Sequence, residues 1–98
     1  MGASRLDLHR TRRSALFLCT HNSARSQMAE GFLRARGGSH YAASSAGTRP
    51  SAIHPLASRA MSEVGIDISE AAGHYSKGLD AVTGQVFDLV VTVCDSAA

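Results

Sequence analysis

Apolar residues recur along the first half of the chain at spacings that predict a strand, a helix and a second strand. Residues 14–18 (SALFL) form a short apolar run, which is typical of a strand buried on both faces. A helix is predicted from Ala24 to about Arg36, ended by Gly37-Gly38. We expect its apolar stripe to consist of Ala24, Met28, Phe32 and Ala35. The polar residues Gln27, Glu30, Arg34 and Arg36 should point elsewhere, the last three toward solvent.

The second half repeats this alternation. Residues 41–46 (YAASSA) predict a weak strand, closed by Gly47. A second helix should begin at His54-Pro55, because proline suits the first helical turn, and should end at Gly65. Its apolar face is expected to consist of Leu56, Ala60, Met61 and Val64. Three glycines in residues 69–84 indicate loops and short helical turns, and the β-branched run 86–93 (VFDLVVTV) predicts the strongest strand.

The order of these elements predicts the fold class. Strands that alternate with helices favour an α/β protein with three layers, in which helices flank an open parallel sheet with right-handed crossovers. A parallel sheet needs helices on both faces, yet the sequence ends shortly after its strongest strand. We therefore expect the last strand and helix of the domain to be missing.

Composition and charge narrow the classes of partner. Ninety-eight residues, 44% of them hydrophobic, suit one globular domain. A net charge of +2 gives no argument for a nucleic-acid or membrane partner. Four arginines lie within residues 1–13, which we interpret as a basic arm before a domain at 14–98.

The N-terminal segment and the cysteines predict the compartment. Residues 11–19 (TRRSALFLC) contain too few apolar residues for an export signal, which needs roughly 7–15 of them. No apolar run approaches the roughly 20 residues of a membrane span. Two cysteines, Cys19 and Cys94, are too few for a secreted disulfide scaffold, so we expect a cytoplasmic protein.

The loop after the first strand contains the candidate chemistry. Cys19 ends the strand, and Arg25 follows after five residues, at the start of the helix. Backbone N–H groups in such a loop, together with the helix N-terminus, can surround a tetrahedral oxyanion, to which an arginine donates two hydrogen bonds. These positive groups favour a thiolate at Cys19, to which Ser26 can donate, and Asn22 tolerates the left-handed conformation of a tight loop. The predicted oxyanion-binding residues are Thr20, His21, Asn22, Ser23, Ala24 and Arg25.

These residues also resemble a known family. The segment CTHNSARSQMAEGFLR is similar to the signature of the low-molecular-weight tyrosine phosphatase superfamily, and within it to the thioredoxin-coupled arsenate reductases. Phosphatases of this fold typically continue the loop as Arg-Ser-Pro, whereas Arg25-Ser26-Gln27-Met28 resembles the reductase version. The resemblance extends over residues 14–98 and includes SSAGT at 44–48, HPLA at 54–57, GIDIS at 65–69 and DLVVTVCDSA at 88–97.

The resemblance implies a reaction. Cys19 would attack the arsenic of bound arsenate, while Arg25 and the loop amides hold the other oxygens. Cys94 aligns with the second redox cysteine, and would attack the adduct, expel arsenite and leave a Cys19–Cys94 disulfide. Thioredoxin or a low-molecular-weight thiol would then be the reductant. Both cysteines follow predicted parallel strands, and open α/β folds place their sites at that edge of the sheet.

The sequence departs from the family pattern in several places. The third cysteine and the Asp-Pro loop of the general acid do not occur in it, and Asp95 cannot be assumed to replace that acid. From the layering of such folds, we expect roughly a quarter of the usual domain to be missing. In some reductases, a potassium ion lies among residues that match Asn22, Glu30 and Ser45, but Lys77 stands where an acidic partner is expected. Either the ammonium of Lys77 takes the place of the cation or no such site exists, and we expect no tightly bound cofactor.

Other functions remain open at this point. The same loop suits hydrolysis of phosphomonoesters through a phosphocysteine, as in a low-molecular-weight tyrosine phosphatase. The early end favours a truncated protein that binds oxyanions without turnover. Zinc bound by Cys19, His21 and Cys94 is disfavoured because the spacing matches no common pattern, so no metal is expected. The isolated histidines His40, His54 and His74 are interpreted as surface or capping residues.

Overall fold

The computed structural model describes residues 12–93, so most of the predicted basic arm, and Cys94 and Asp95, lie outside the described residues. The main elements in chain order are β1 (Arg13–Cys19), α1 (Arg25–Gly37), β2 (Tyr41–Gly47), α2 (Pro55–Glu63) and β3 (Leu89–Thr92). Two short 3₁₀ helices, Glu70–Ala72 and Leu79–Val82, lie between α2 and β3, where short helical turns were predicted. Among the helices of residues 12–93, none combines the length and apolar character needed to cross a membrane.

The three strands form one parallel sheet in the order β2-β1-β3. Cys19 pairs with Gly47, and Leu18 pairs with Thr92, so the carboxyl ends of the three strands lie at the same edge. The α/β class with a parallel sheet and flanking helices is thereby confirmed. The edge that carries Cys19 is the one at which such folds place their sites.

The hydrophobic core joins α1 to α2 and to the segment after α2. Met61 and Ile68 are each 1% exposed, and they cluster with Ala57 and Ile66. Gly31 on α1 lies against this cluster, because a Cβ atom there would come within 2.8 Å of Cγ2 of Ile68. Because glycine has no side chain, α1 packs closely over the core. This packing sets the position of the helix that begins at the cysteine loop.

The predicted buried face of α1 is only partly correct: Ala24 and Met28 are half-buried against the core, as expected, but the other two residues are not. Phe32 is 38% exposed and Ala35 is also exposed. The buried residues of the helix are instead Ser26, Gln27, Glu30 and Gly31. This face is polar because the side chains at 26, 27 and 30 have partners in the cysteine loop, in β2 and in residues 74–77. A buried polar group is tolerated when it is hydrogen-bonded in this way.

The apolar faces of the later elements also differ from prediction. In α2, Met61 is buried as expected, but Leu56 and Val64 are 64% and 51% exposed. The strand predicted at 86–93 is shorter, Leu89–Thr92, and Val86 before it is 91% exposed. Strand β3 lies at the edge of the described sheet and pairs with β1 alone, so one of its sides contacts no strand within residues 12–93.

Candidate active site

The loop between β1 and α1 surrounds a small cavity at the carboxyl edge of the sheet. The cavity measures about 120 Å³ and is lined by Cys19, Thr20, His21, Ser23, Ala24, Arg25 and Val93. Pockets for drug-sized ligands typically measure roughly 300–1,000 Å³, so this one suits a small ion or the tip of a larger substrate. Five of the six predicted oxyanion-binding residues line it. The sixth, Asn22, is fully buried behind the loop.

The backbone of this loop is turned with its N–H groups toward the cavity. All five carbonyl oxygens from Cys19 to Ser23 accept hydrogen bonds from outside the loop, at 2.7 to 3.3 Å. The donors are the backbone N–H groups of Thr48, Arg49, Ser51 and His54, the side-chain amide of Gln27 and the hydroxyl of Ser76. Because the N–H of a planar trans peptide points opposite to its C=O, the N–H groups of residues 20–24 face inward. Such a ring of amides is an anion-binding site.

The sulfur of Cys19 lies at the base of this ring. The backbone N–H of Asn22 donates to Sγ at 3.1 Å, and the hydroxyl of Ser26 lies 3.0 Å from the same atom. Asn22 holds the N–H in place with a positive φ of 51°, the left-handed conformation that the sequence predicted. Donors directed at sulfur stabilise a thiolate, the form of cysteine that acts as a nucleophile.

Gly47, the last residue of β2, lets the sheet pass directly under the loop. A Cβ atom at this position would come within 2.6 Å of the Thr20 carbonyl oxygen and 2.7 Å of the Asn22 nitrogen. Both contacts are with backbone atoms, which cannot move aside without changing the loop. In the sequence, Gly47 ends a predicted strand and belongs to SSAGT, and neither pattern predicts this close approach.

Glu30 lies behind the loop, in a buried polar cluster and not on the solvated face that the sequence predicted. Its side chain is 1% exposed. Ser45 donates to Oε1 at 2.5 Å, and Nζ of Lys77 lies 3.6 Å from the same oxygen. Nη2 of Arg34 lies 2.8 Å from Oε2, as an ion pair without the angles of a hydrogen bond. Burial lowers the pKa of Lys77, an effect that the neighbouring Glu30 carboxylate opposes.

His74 belongs to the same cluster, so its interpretation as a surface or capping residue is wrong. It is 3% exposed, and its Nδ1 lies 3.2 Å from Oε1 of Gln27 and 3.9 Å from Oε2 of Glu30. Burial lowers its pKa, although the Glu30 carboxylate acts in the opposite direction. No pattern in the sequence marks His74, because its partners on α1 lie more than forty residues away.

The residues that the resemblance matches to a potassium site already have protein partners for two of their oxygen atoms. The side-chain oxygen of Asn22 already accepts hydrogen bonds from the backbone N–H of Lys77 at 2.7 Å and from Gln27 at 2.9 Å. Oε1 of Glu30 is shared by Ser45 and the Lys77 ammonium. Within residues 12–93, no group of three or more His, Cys, Asp or Glu side chains could hold a metal ion.

The structure therefore places Cys19 and Arg25 on the lining of one cavity and the buried Ser26 against the Cys19 sulfur, while Cys94 lies outside the described residues. Val93, the residue before Cys94, lines the cavity and donates its N–H to the Leu18 carbonyl at 2.8 Å. A cysteine under a ring of amides, at the carboxyl edge of a parallel sheet, is an arrangement chemically suited to an oxyanion and a thiolate. Residues 14–98 match the low molecular weight phosphotyrosine protein phosphatase family, and the chain belongs to that family.

Relatives of known name within this family include arsenate reductases. The chain is 48% identical over 82 residues to an arsenate reductase of Halalkalibacterium halodurans, covering 84% of this chain and 57% of that protein. It is 40% identical over 82 residues to a glutaredoxin arsenate reductase of Synechocystis sp., covering 84% of this chain and 60% of the relative. The chain thus spans less than two thirds of the length of either relative.

Solved structures agree with both the fold and the family. An arsenate reductase in its phosphate-binding state superposes with a TM-score of 0.75 at 40% identity, over 84% of this chain and 60% of that one. A thioredoxin-dependent arsenate reductase of Corynebacterium glutamicum gives 0.75 at 33% identity, over 91% and 44% of the two chains. The low molecular weight protein tyrosine phosphatase of T. tengcongensis gives 0.67 at 34% identity, over 82% and 57%.

Proposed function

We propose that this protein is an arsenate reductase in which Cys19 is the nucleophile. The observation that carries the proposal is the position of the Cys19 sulfur, which meets the Asn22 N–H and the Ser26 hydroxyl at the base of a cavity sized for a tetrahedral oxyanion. The names of its relatives support arsenate as that oxyanion. Arg25, which lines the cavity, is proposed to hold the oxyanion together with the N–H groups of residues 20–24.

The first step of the proposed reaction forms a sulfur–arsenic bond. The Cys19 thiolate attacks the arsenic(V) atom, and one arsenate oxygen leaves as hydroxide and takes up a proton to become water. Arsenic remains in the +5 state, so this step involves no redox change. Ser26 is placed to stabilise the sulfur whenever it carries negative charge.

The second step is the reduction, and Cys94 is proposed to carry it out. Its thiolate attacks the Cys19 sulfur, a disulfide forms, and the sulfur–arsenic bond breaks. The bonding electron pair stays on arsenic, which leaves as arsenite in the +3 state, while two thiols have been oxidised. Thioredoxin or a low-molecular-weight thiol is the proposed reductant of the disulfide. The proposed location is therefore the cytoplasm, where thiols stay reduced.

We also propose that the reaction needs no monovalent cation. The ammonium of Lys77 supports this, because it lies 3.6 Å from the Glu30 oxygen that such a cation would contact. A cofactor-free reaction is consistent with a mechanism that uses thiols, backbone amides and the side chains of Arg25 and Ser26.

Hydrolysis of phosphomonoesters is a second candidate function, favoured by the family and by the match to a tyrosine phosphatase structure. Cys19 would then form a sulfur–phosphorus bond, the alcohol would leave, and water would release phosphate. The ring of amides suits phosphate as well as arsenate, and only the reductase route needs Cys94.

The two functions can be separated in one experiment. The reduced full chain is incubated with arsenate, arsenite is quantified, and disulfides are mapped by mass spectrometry. We expect arsenite and a Cys19–Cys94 disulfide in equal amounts. Cys19→Ser should abolish both products, and Cys94→Ser should abolish arsenite while leaving Cys19 able to be alkylated.

Two results would contradict the reductase proposal. Release of phosphate from an aryl phosphate, without arsenite from arsenate, would favour the phosphatase. Saturable binding of arsenate that yields neither product would show that the chain binds oxyanions without turnover.

A further inference from the structure

Gln27 links the cysteine loop to a distant segment of the chain. Its side chain is fully buried, between Asn22 of the loop and the backbone of residues 74–77. Its Nε2 lies 2.9 Å from Oδ1 of Asn22 and 2.7 Å from the Tyr75 carbonyl oxygen. Its Oε1 lies 3.2 Å from Nδ1 of His74. Gln27 thus contacts the loop on one side and a buried histidine on the other.

Two backbone groups fix the direction of these hydrogen bonds. The carbonyl of Tyr75 can only accept, so the NH₂ end of Gln27 must face it. The N–H of Lys77 can only donate, so the oxygen end of Asn22 must face that group. The amide orientations of Gln27 and Asn22 are therefore set by the backbone.

With these orientations, each residue of the series has one donor that points to the next residue in the direction of sulfur. His74 donates from Nδ1 to Gln27, and Gln27 donates to Oδ1 of Asn22. Nδ2 of Asn22 donates to the Ser26 hydroxyl at 2.8 Å. When Cys19 is a thiolate, its sulfur can only accept, so the Ser26 hydroxyl donates to Sγ at 3.0 Å. Hydrogen bonds aligned in one direction polarise one another, which strengthens the last bond of the series.

We propose that Gln27 is a positioning residue for the Cys19 thiolate. Its hydrogen bonds couple the N–H donor of His74 to the sulfur through Asn22 and Ser26. This inference rests on the proposed role of Cys19 as nucleophile but not on arsenate as substrate. It makes the reactivity of Cys19 dependent on residues 74–77, which contribute no side chain to the cavity lining.

Other charged groups also face the two ends of this series. Around His74 lie Glu30 and Arg34 of α1, together with Lys77 and Asp67. Around the sulfur, the cavity lining includes Arg25 and His21. Each of these charged groups is kept in all the variants tested. A difference in Cys19 reactivity between variants is therefore due to the hydrogen bonds of the series.

The test follows the alkylation of Cys19 by iodoacetamide as a function of pH. The modified peptide is identified by mass spectrometry, so that Cys94 does not contribute. We expect Gln27→Met to raise the midpoint of the profile by about one pH unit, which is about a 10-fold lower rate at a pH below both midpoints. Gln85→Met is the matched control, since Gln85 is exposed and its side-chain amide donates to the Ala81 carbonyl, away from the cysteine loop. Its profile should match that of the wild type.

A double-mutant comparison separates transmission from a general loss of structure. His74→Phe removes the first donor, and Ser26→Ala removes the last. If the series transmits the effect, His74→Phe shifts the midpoint in the wild type but not in the Ser26→Ala background. An equal shift in both backgrounds, or an unshifted midpoint in folded Gln27→Met, would overturn the proposal. Should Gln27→Met fail to fold, the His74 and Ser26 variants still decide the outcome, and arsenite formation is not needed for either result.

Discussion

The ammonium of Lys77 lies 3.6 Å from Oε1 of Glu30, and this carboxylate is almost completely closed to solvent. Ser45 donates to the same oxygen, while Arg34 approaches the other one at 2.8 Å. A buried carboxylate is tolerated only when its charge is compensated. Lys77 therefore joins the segment after α2 to the helix that follows Cys19, and it does so directly behind the loop.

Replacing Lys77 by methionine should destabilise the protein because Glu30 would lose its nearest buried cation. The expected loss in the free energy of unfolding is about 3 kcal/mol, as measured for other broken buried pairs. Urea denaturation of Lys77→Met gives this value. Adding Glu30→Gln to Lys77→Met should restore most of the lost free energy of unfolding. Arg36→Met is the control: it removes an exposed cation near the Phe32 ring and should cost less than about 1 kcal/mol. Equal losses in the single and double variants would show that the pair is not the cause.

The proposed independence from monovalent cations gives a second prediction. Because the Lys77 ammonium lies beside Oε1 of Glu30, and Gln27 and the Lys77 N–H both donate to Oδ1 of Asn22, potassium should find no site there. The melting temperature should be the same in potassium chloride and in tetramethylammonium chloride at equal ionic strength. A ligand that binds only the folded state raises this temperature with its concentration. A saturable rise specific to potassium would therefore contradict the proposal.

The sequence predicted the cysteine loop better than the rest of the molecule, for a physical reason. Residues 19–26 form a contiguous strand–loop–helix unit, and the conformation of Asn22 and the contact of Ser26 with Cys19 depend on neighbours within that unit. The parallel sheet was also predictable, because apolar runs and helices alternate along the chain.

Contacts between distant residues were not predictable from the sequence. The face of α1 was misjudged because periodicity counts apolar residues, whereas Gln27 and Glu30 are buried through partners that lie far away in the chain. The extent of β3 was overestimated because β-branched composition contains no information about which strand lies at a sheet edge. His74 carried no signal, since its burial depends on the same distant contacts.

Gly47 gives a third prediction, on the cysteine loop itself. Gly47→Ala would place a Cβ atom within 2.7 Å of backbone atoms of both Thr20 and Asn22, so the loop must shift. We expect a loss of about 1–3 kcal/mol in stability, typical of overpacking, with at least a 10-fold loss of arsenate binding by calorimetry. Ala42→Ser on the exposed part of β2 is the control and should change neither quantity. Unchanged arsenate binding in Gly47→Ala would show that the inward N–H groups do not hold the oxyanion.

The burial of His74 predicts how stability depends on pH. Burial lowers the pKa of His74 in the folded state below its ordinary value of 6.5. Between the two pKa values, the unfolded chain binds more protons than the folded one, so stability decreases as the pH falls below about 6.5. Above that pH the histidine is neutral in both states and contributes no dependence. Urea denaturation of the wild type and of His74→Gln from pH 5 to 8 gives the free energy of unfolding of each as a function of pH. The two curves should run parallel above pH 6.5. Below it they should converge or cross, because only the wild type loses stability through protonation of His74. Parallel curves over the whole range would mean that His74 is not neutral and buried in the folded protein.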